Sequence, residues 1–219
     1  PCVKYMKLDQ KDSIPKIIHQ IHIGGSELSN QEKEWQDSWK KLNPEWEHIM
    51  WDDLKIEQDL SITYPKILKN CKNYSEKSDI LRFEILYQYG GLYVDTDFEC
   101  LKPIDALLKD EKIVLYWQQP QKICGAFFGA TKKNLDLKRL IDSLPSREKS
   151  HGNKISDCKY GPVYITEILG SKKGRPDGRD SPKKTVYPYL WYEAHRKSED
   201  FSKTCPEAHA VHHWGGSWI

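Results

Sequence analysis

The stretch SEKSDILRFEILYQYGGLYVDTDFEC, Ser75 to Cys100, constrains the fold more than any other part of this 219-residue chain. From Ser75 to Tyr89 the apolar residues recur at helical spacing, which predicts one firm helix. Gly90 stands where a helix C-cap needs a left-handed residue. The run LYVDTDF follows at once and reads as a strand. That strand ends in two carboxylates, Asp95 and Asp97. One unpaired carboxylate is already costly to bury, and two so close also repel each other. If the strand stays extended through Asp97, then Tyr93, Asp95 and Asp97 point to one side. A hard divalent cation between the acids would relieve the repulsion. Carboxylate oxygens favour Mn2+ or Mg2+, and such an ion is usually shared with substrate phosphates.

The rest of the chain repeats the same alternation. IPKIIHQIHIGG predicts a strand entered from Pro15 and ended by Gly24-Gly25. SNQE is a capping box, with Ser29 as N-cap and Glu32 three residues on. The helix behind it puts Trp35, Trp39 and Leu42 on one face. WEHIMW, KIVLYW and CGAFFGA read as further strands, and helical signals recur over 65–74. LDLKRLIDSL and GPVYITEIL read as helices, and TVYPYLWY as a strand. Residues 146–158 and 170–184 are polar and read as surface loops. Strands alternating with helices through two-thirds of the chain predict an α/β fold. Its mixed, mostly parallel sheet would be flanked by helices. Without an internal repeat or a low-complexity linker, residues 1–219 are expected to form a single domain.

Composition excludes some function classes. The formal net charge is +2, with cations and anions balanced, so neither a nucleic-acid nor a membrane-surface signature is present. No run of about 18 apolar residues provides a membrane span in this segment. The chain starts at Pro1 without a methionine, which fits a trimmed segment and leaves room for an upstream anchor. The six cysteines, at 2, 71, 100, 124, 158 and 205, lack C-x-x-C spacing, so a zinc knuckle is not expected. They allow disulfides and reduced thiols alike. The compartment stays open between the cytoplasm and a secretory lumen. Eight Trp and twelve Tyr suit sugar or base stacking as well as an ordinary core.

Other polar residues invite two readings each. Asp79 and Arg82, at i and i+3, share a face of the long helix. They are either an exposed ion pair of small worth or a carboxylate for ligand hydroxyls held by a guanidinium. The bare Asp-x-Asp is either a solvated turn or an ion site. His19 and His22 fall on opposite sides of a strand, which makes His19 core or supporting. The C-terminal HAVHHW reads either as a terminal strand with locally paired histidines or as part of the site. Gly125 and Gly161 serve either tight packing or close approach of backbone to a ligand. The basic run Lys172, Lys173, Arg175, Arg179, Lys183 and Lys184 reads as a solvated loop, with a charged acceptor as the alternative.

KSDILRFEILYQYGGLYVDTD resembles the signature of the DXD-containing sugar transferases. These include initiating mannosyltransferases, lactosylceramide galactosyltransferases, capsular-polysaccharide transferases and the catalytic domain of the clostridial glucosylating toxins. IPKIIHQIHIGG resembles their first strand and HHWGGSW their C-terminal motif, in family order across most of the chain. The resemblance implies the GT-A type fold, a Rossmann-like sheet with a nucleotide-sugar cleft. It implies that Asp95 contacts ribose and reaches the metal, while Asp97 binds the metal directly. Asp79 and Arg82 would hold the donor sugar. His212 would be the third metal ligand, with His213 as the alternative, and Ser217 and Trp218 would contact phosphate or metal. Tyr93 lies among the donor-binding residues. CGAFFGA and GPVYIT resemble segments lining the acceptor side. Where these families usually carry a Trp for base stacking, this chain has His22, a smaller face that titrates near neutral pH.

The activity so implied is metal-dependent transfer of a hexose from a UDP- or GDP-sugar to a hydroxyl of a glycan, lipid or protein, with retention of anomeric configuration. The rival readings are a metal-dependent phosphoesterase, which needs ligands for more than one ion, and a non-catalytic sugar-nucleotide or glycan binder.

Overall fold

The computed structural model describes residues 13–119, 122–151, 159–170, 179–180, 186–187 and 206–215. The first half runs β1 (Ile17–Ile21), α1 (Asn30–Leu42), β2 (Glu47–Trp51), α2 (Asp53–Asp59), α3 (Pro65–Lys69), α4 (Tyr74–Tyr89) and β3 (Gly91–Val94). Then come β4 (Phe98–Cys100), α5 (Asp105–Leu108), β5 (Ile113–Gln119), β6 (Lys122–Ala130), α6 (Leu135–His151) and α7 (Pro162–Leu169). The short strands β7 (Arg179–Asp180), β8 (Val186–Tyr187) and β9 (Ala210–His212) follow.

The main sheet has the order β2-β1-β3-β6-β5-β7. β1 pairs in parallel with β2 and β3, and β5 with β7, while β6 is antiparallel to both β3 and β5. The mixed sheet flanked by helices is therefore as expected. A second sheet was not expected from the sequence: β4-β9-β8, with β4 antiparallel to β9.

Period-two alternation sorts the side chains of the main sheet. Tyr93, Leu115 and Phe128 face the apolar cluster built with α4, α6 and α7. Leu92, Val94, Val114, Tyr116 and Phe127 face the other cluster, with Trp39, Phe98 and Ile104. Each large side chain fully buried this way contributes roughly 1.5–3 kcal/mol. The α4 helix runs through the first of these clusters. Every residue from Asp79 to Leu86 is buried, the charged Asp79, Arg82 and Glu84 among them.

The turn out of α4 explains the two glycines. Gly90 has φ 70° and ψ −170°, and its N–H donates to Leu86 O at 2.8 Å. A Cβ on Gly90 would lie 2.7 Å from Lys132 N, and one on Gly91 (φ 106°) 2.5 Å from Ile17 O. Both the positive φ and the close approach of β1 to β3 therefore require glycine.

Three expectations fail. The strand LYVDTDF does not stay extended through Asp97. It stops at Val94, and Asp95–Asp97 form a turn in which Phe98 N donates to Asp95 O at 3.2 Å. The chain breaks there because Phe98 changes sheets to pair with His212. Residues 146–151 are not a loop but the end of α6, which runs through Pro145. Arg147, itself buried, anchors this end, with its Nε donating to Lys159 O at 2.7 Å and its Nη1 2.5 Å from Glu167 Oε2. Within the expected loop 170–184, Arg179–Asp180 pair with β5. Most of TVYPYLWY lies outside the described residues, where only Val186–Tyr187 are seen as strand. Among the described residues no helix is long and apolar enough to cross a membrane.

Candidate metal centre

Two groups of polar residues meet at the carboxyl end of β3. The first is a closed network. Arg82 Nη2 lies 3.2 Å from Asp79 Oδ1 and 3.4 Å from Asp95 Oδ1, and Arg82 Nε donates to Ser78 O at 3.2 Å. Tyr93 OH donates to Asp95 Oδ1 at 2.6 Å, and the guanidinium lies 4.8 Å from the centre of the Tyr93 ring. Both Asp79 and Arg82 are only 6% exposed, so the exposed-pair reading is overturned. Burial works against the Arg82 charge, but the surrounding Tyr93, Asp95 and Asp79 hold it firmly protonated. Burial and the Asp95 carboxylate push the Tyr93 phenol far up, so it remains a donor. Gly125 is part of this network by omission. A Cβ there would lie 2.5 Å from Arg82 Nη1, so the glycine makes room for the guanidinium.

The second group is open. Asp97 Oδ2 accepts from Gly215 N at 2.8 Å, and Asp97 O accepts from His213 N at 2.9 Å. Its other oxygen, Oδ1, is buried without a hydrogen-bond partner and faces His212 Nε2 at 3.4 Å. His212 is itself 3% exposed, and its Nδ1 also lacks a partner. Its ring is sandwiched between Phe98 at 4.3 Å and Trp214 at 3.8 Å, which fixes its orientation. Burial pushes the Asp97 carboxyl up, and the His212 charge together with the Gly215 N–H brings it below the ordinary carboxylate value. One ligand atom from each of Asp95, Asp97 and His212 lies within 4.8 Å of the others. Two carboxylates and an imidazole suit a borderline-hard divalent ion such as Mn2+. The orphaned Asp97 Oδ1, buried against a nitrogen it does not bond, is the atom such an ion would satisfy.

The two C-terminal histidines part company. His213 turns away, stacking on Trp35 at 4.2 Å and 8° while its Nε2 lies 3.0 Å from Glu99 Oε2. His212 alone faces the acids. His19 is a core residue. Its Nδ1 accepts from Trp51 Nε1 at 3.1 Å, which leaves Nε2 to donate to Gly90 O at 2.8 Å. Burial drives its pKa down to about 4, so it stays neutral. His22 is half-buried, with Nε2 2.9 Å from Ser26 O. His22 does not line the cleft of about 260 Å³ that is walled by Ile23, Ile56, Leu68 and Leu81, with Asp53 and Lys77 among its polar residues. Gly161 caps the start of α7. Ser217 and Trp218 and most of the basic run lie outside the described residues, as do Cys2, Cys158 and Cys205. Cys71, Cys100 and Cys124 are free thiols, and burial pushes them up to about 12, 11 and 12, which leaves them poor nucleophiles.

For Gly125 the contact with Arg82 agrees with the tight-packing reading. Sequence reasoning missed Trp214 and Phe98, which depend on a strand pairing that local pattern does not reveal.

Residues 29–114 match the glycosyltransferase sugar-binding region containing a DXD motif. Over 174 residues the chain is 29% identical to inositol phosphoceramide mannosyltransferase 3 of Schizosaccharomyces pombe, covering 77% of this chain and 48% of that protein. It is 31% identical over 166 residues to inositol phosphoceramide mannosyltransferase 1 of the same yeast, covering 72% and 49%. The chain thus spans about half the length of the curated relatives it matches. Among solved structures, the PaToxG glycosyltransferase aligns with a TM-score of 0.59 at 21% identity, over 73% of this chain and 70% of that one. That likeness is one of fold, the GT-A type.

Proposed function

We propose, from the premise that residues 29–114 carry the DXD-containing sugar-binding region of the glycosyltransferases, that this chain transfers a hexose from a nucleotide diphosphate sugar to a hydroxyl. The observation that carries the reading is the Asp95, Asp97 and His212 group, with its orphaned buried oxygen. These three residues hold one divalent ion, Mn2+ or Mg2+, which supplies Lewis-acid stabilisation of the departing diphosphate. Charge stabilisation of this kind is worth of order 3–4 kcal/mol per well-placed group.

The chain's own residues supply the rest. Asp79 and Arg82, locked in one rotamer pair, present a carboxylate and a guanidinium edge to the sugar hydroxyls and orient the anomeric carbon. Asp95 is held by Tyr93 and Arg82, which leaves one of its oxygens for the ion or the ribose. His22 stacks on the base, and Ser217 and Trp218, which lie outside the described residues, are assigned contact with phosphate or metal by their sequence motif alone. Reaction proceeds with retention, the acceptor attacking on the leaving-group side. The names of the two yeast relatives make GDP-mannose the first donor to try and an inositol-bearing lipid phosphate the first acceptor. A two-ion phosphoesterase is less well supported, because the described residues offer one cluster of three metal ligands and no second.

A thermal-shift screen of UDP- and GDP-hexoses, with and without Mn2+, tests the reading. At least one sugar nucleotide is expected to stabilise the protein only when Mn2+ is present. Asp97→Ala is expected to abolish that shift, while Lys172→Ala with Lys173→Ala keeps it. Stabilisation that ignores the metal, or that survives Asp97→Ala, would overturn the proposal.

A further inference from the structure

Neither acid of the Asp-Thr-Asp turn is held in place by β3 alone, because the strand has already ended at Val94. The surface that backs the turn is α1. Its inward face contacts the segment after β3 three times and the residue after β9 once. Glu32 Oε1 accepts from Thr96 Oγ1 at 3.1 Å, and Trp35 stacks on His213. Ser38 Oγ accepts from Cys100 N at 2.8 Å, and Trp39 Nε1 donates to Phe98 O at 2.8 Å. Residues 32, 35 and 39 form one stripe at helical spacing. That stripe runs along the turn, the strand after it and the residue next to His212.

Glu32 is the unusual member. Its Oε2 closes the helix cap, accepting from Ser29 N at 2.9 Å and Ser29 Oγ at 2.7 Å. Its Oε1 is left for Thr96, the residue between the two acids. One carboxylate thus ties the start of α1 to the middle of the Asp-Thr-Asp turn. Trp35, one turn later, does the same for the other half of the centre. His213 is clamped between the Trp35 ring and Glu99, and its own N–H bonds Asp97 O.

We propose that α1 is the positioning element of the ion site: Glu32 holds the Asp95–Asp97 turn through Thr96, and Trp35 holds the end of β9 through His213. Neither residue touches the ion or the donor. The inference rests on the single-ion reading of the preceding subsection for what is positioned, while the hold of α1 on the turn is read separately in the metal-free protein.

Thr96 provides the cleanest test, because Thr96→Val removes a hydroxyl and keeps the shape. Two quantities are measured: Mn2+ affinity by electron paramagnetic resonance, and amide exchange of Phe98 and Gly215 in the metal-free protein. Those two amides report the turn and the Asp97 carboxylate directly. Thr96→Val is expected to weaken Mn2+ about tenfold, the effect of losing an outer-shell partner. It should also lower protection of both amides about fivefold, the loss of roughly one hydrogen bond. Thr96→Ser should restore both. In a Glu32→Ala background, Thr96→Val should add nothing, since the same bond is already gone. Trp35→Leu should weaken Mn2+ similarly, and Trp35→Phe should recover it. Wild-type affinity and wild-type protection in Thr96→Val would overturn the proposal, as would full additivity with Glu32→Ala. If the unaltered protein binds no Mn2+, the single-ion reading falls. Loss of protection in Thr96→Val would then still support the positioning role, and unchanged protection would overturn it.

Discussion

Two buried histidines of this molecule have opposite environments. His19 bonds through both ring nitrogens, to Trp51 and to Gly90, and belongs with the Asp79–Arg82–Asp95–Tyr93 network in which each charge meets a partner. His212 is buried to a similar degree, yet its Nδ1 has no partner and its Nε2 only faces an oxygen it does not bond. Buried polar groups are normally paired, and among the described residues the unpaired ones gather at this corner, Asp97 Oδ1, His212 Nδ1 and Trp214 Nε1, with Glu76 Oε1 the exception elsewhere. The first region pairs its charges within the chain and the second leaves polar atoms unpaired, and they share Asp95.

The contrast can be tested at three strengths. The largest effect is expected in the closed region. Arg82→Met leaves the buried Asp79 and the partly exposed Asp95 without their cation and should cost about 3 kcal/mol of unfolding free energy, read by denaturant titration. A loss no larger than that of a surface substitution would mean the network is not closed in solution. A smaller effect is expected from His19 on acidification. Its folded pKa of about 4 lies below the free value of 6.5, so the unfolded chain takes up the proton first as pH falls. Its contribution is complete above about pH 6.5 and declines towards pH 4 by about 1.4 kcal/mol per unit, or about 2 kcal/mol by pH 5. His19→Gln should remove that slope, and an unchanged acid limb would show that His19 is not buried neutral. The smallest effect is expected at the open corner. Asp97→Asn keeps the acceptor for Gly215 N–H and should change metal-free stability by less than about 1 kcal/mol. A loss as large as that of Arg82→Met would place Asp97 in the closed class.

Much of this arrangement was legible in the sequence, and the part that was not has a common cause. The α4 helix, its glycine exit, the capping box at Ser29 and the strands around them are written in local periodicity and cap chemistry, which need no distant partner. The end of β3 is different. Residues 92–98 are apolar and acidic in a pattern that suits one continuous strand, and only pairing of Phe98 with His212 breaks it. The same register decides between His212 and His213, which no local rule separates because neighbours in a strand point opposite ways. Residues 146–151 look like loop for the same reason. Their polarity suits solvent, but Arg147 is drawn inward by Lys159 O and Glu167, partners supplied from further along the chain. Asp79 and Arg82 gave the reverse lesson. Their spacing was plain, but whether they lay in water or in the interior depended on the sheet behind them.

The β4–β9 pairing has a consequence for how the molecule comes into being. Gly215 and Asp97, bonded across the open corner, are 118 positions apart in the chain. Closing so long a loop is slow compared with forming the helix and strand that carry the acids. A nascent or clipped polypeptide can therefore complete most of its interior while the imidazole that finishes the centre is still undocked. The corner is then completed last, when β9 docks on β4.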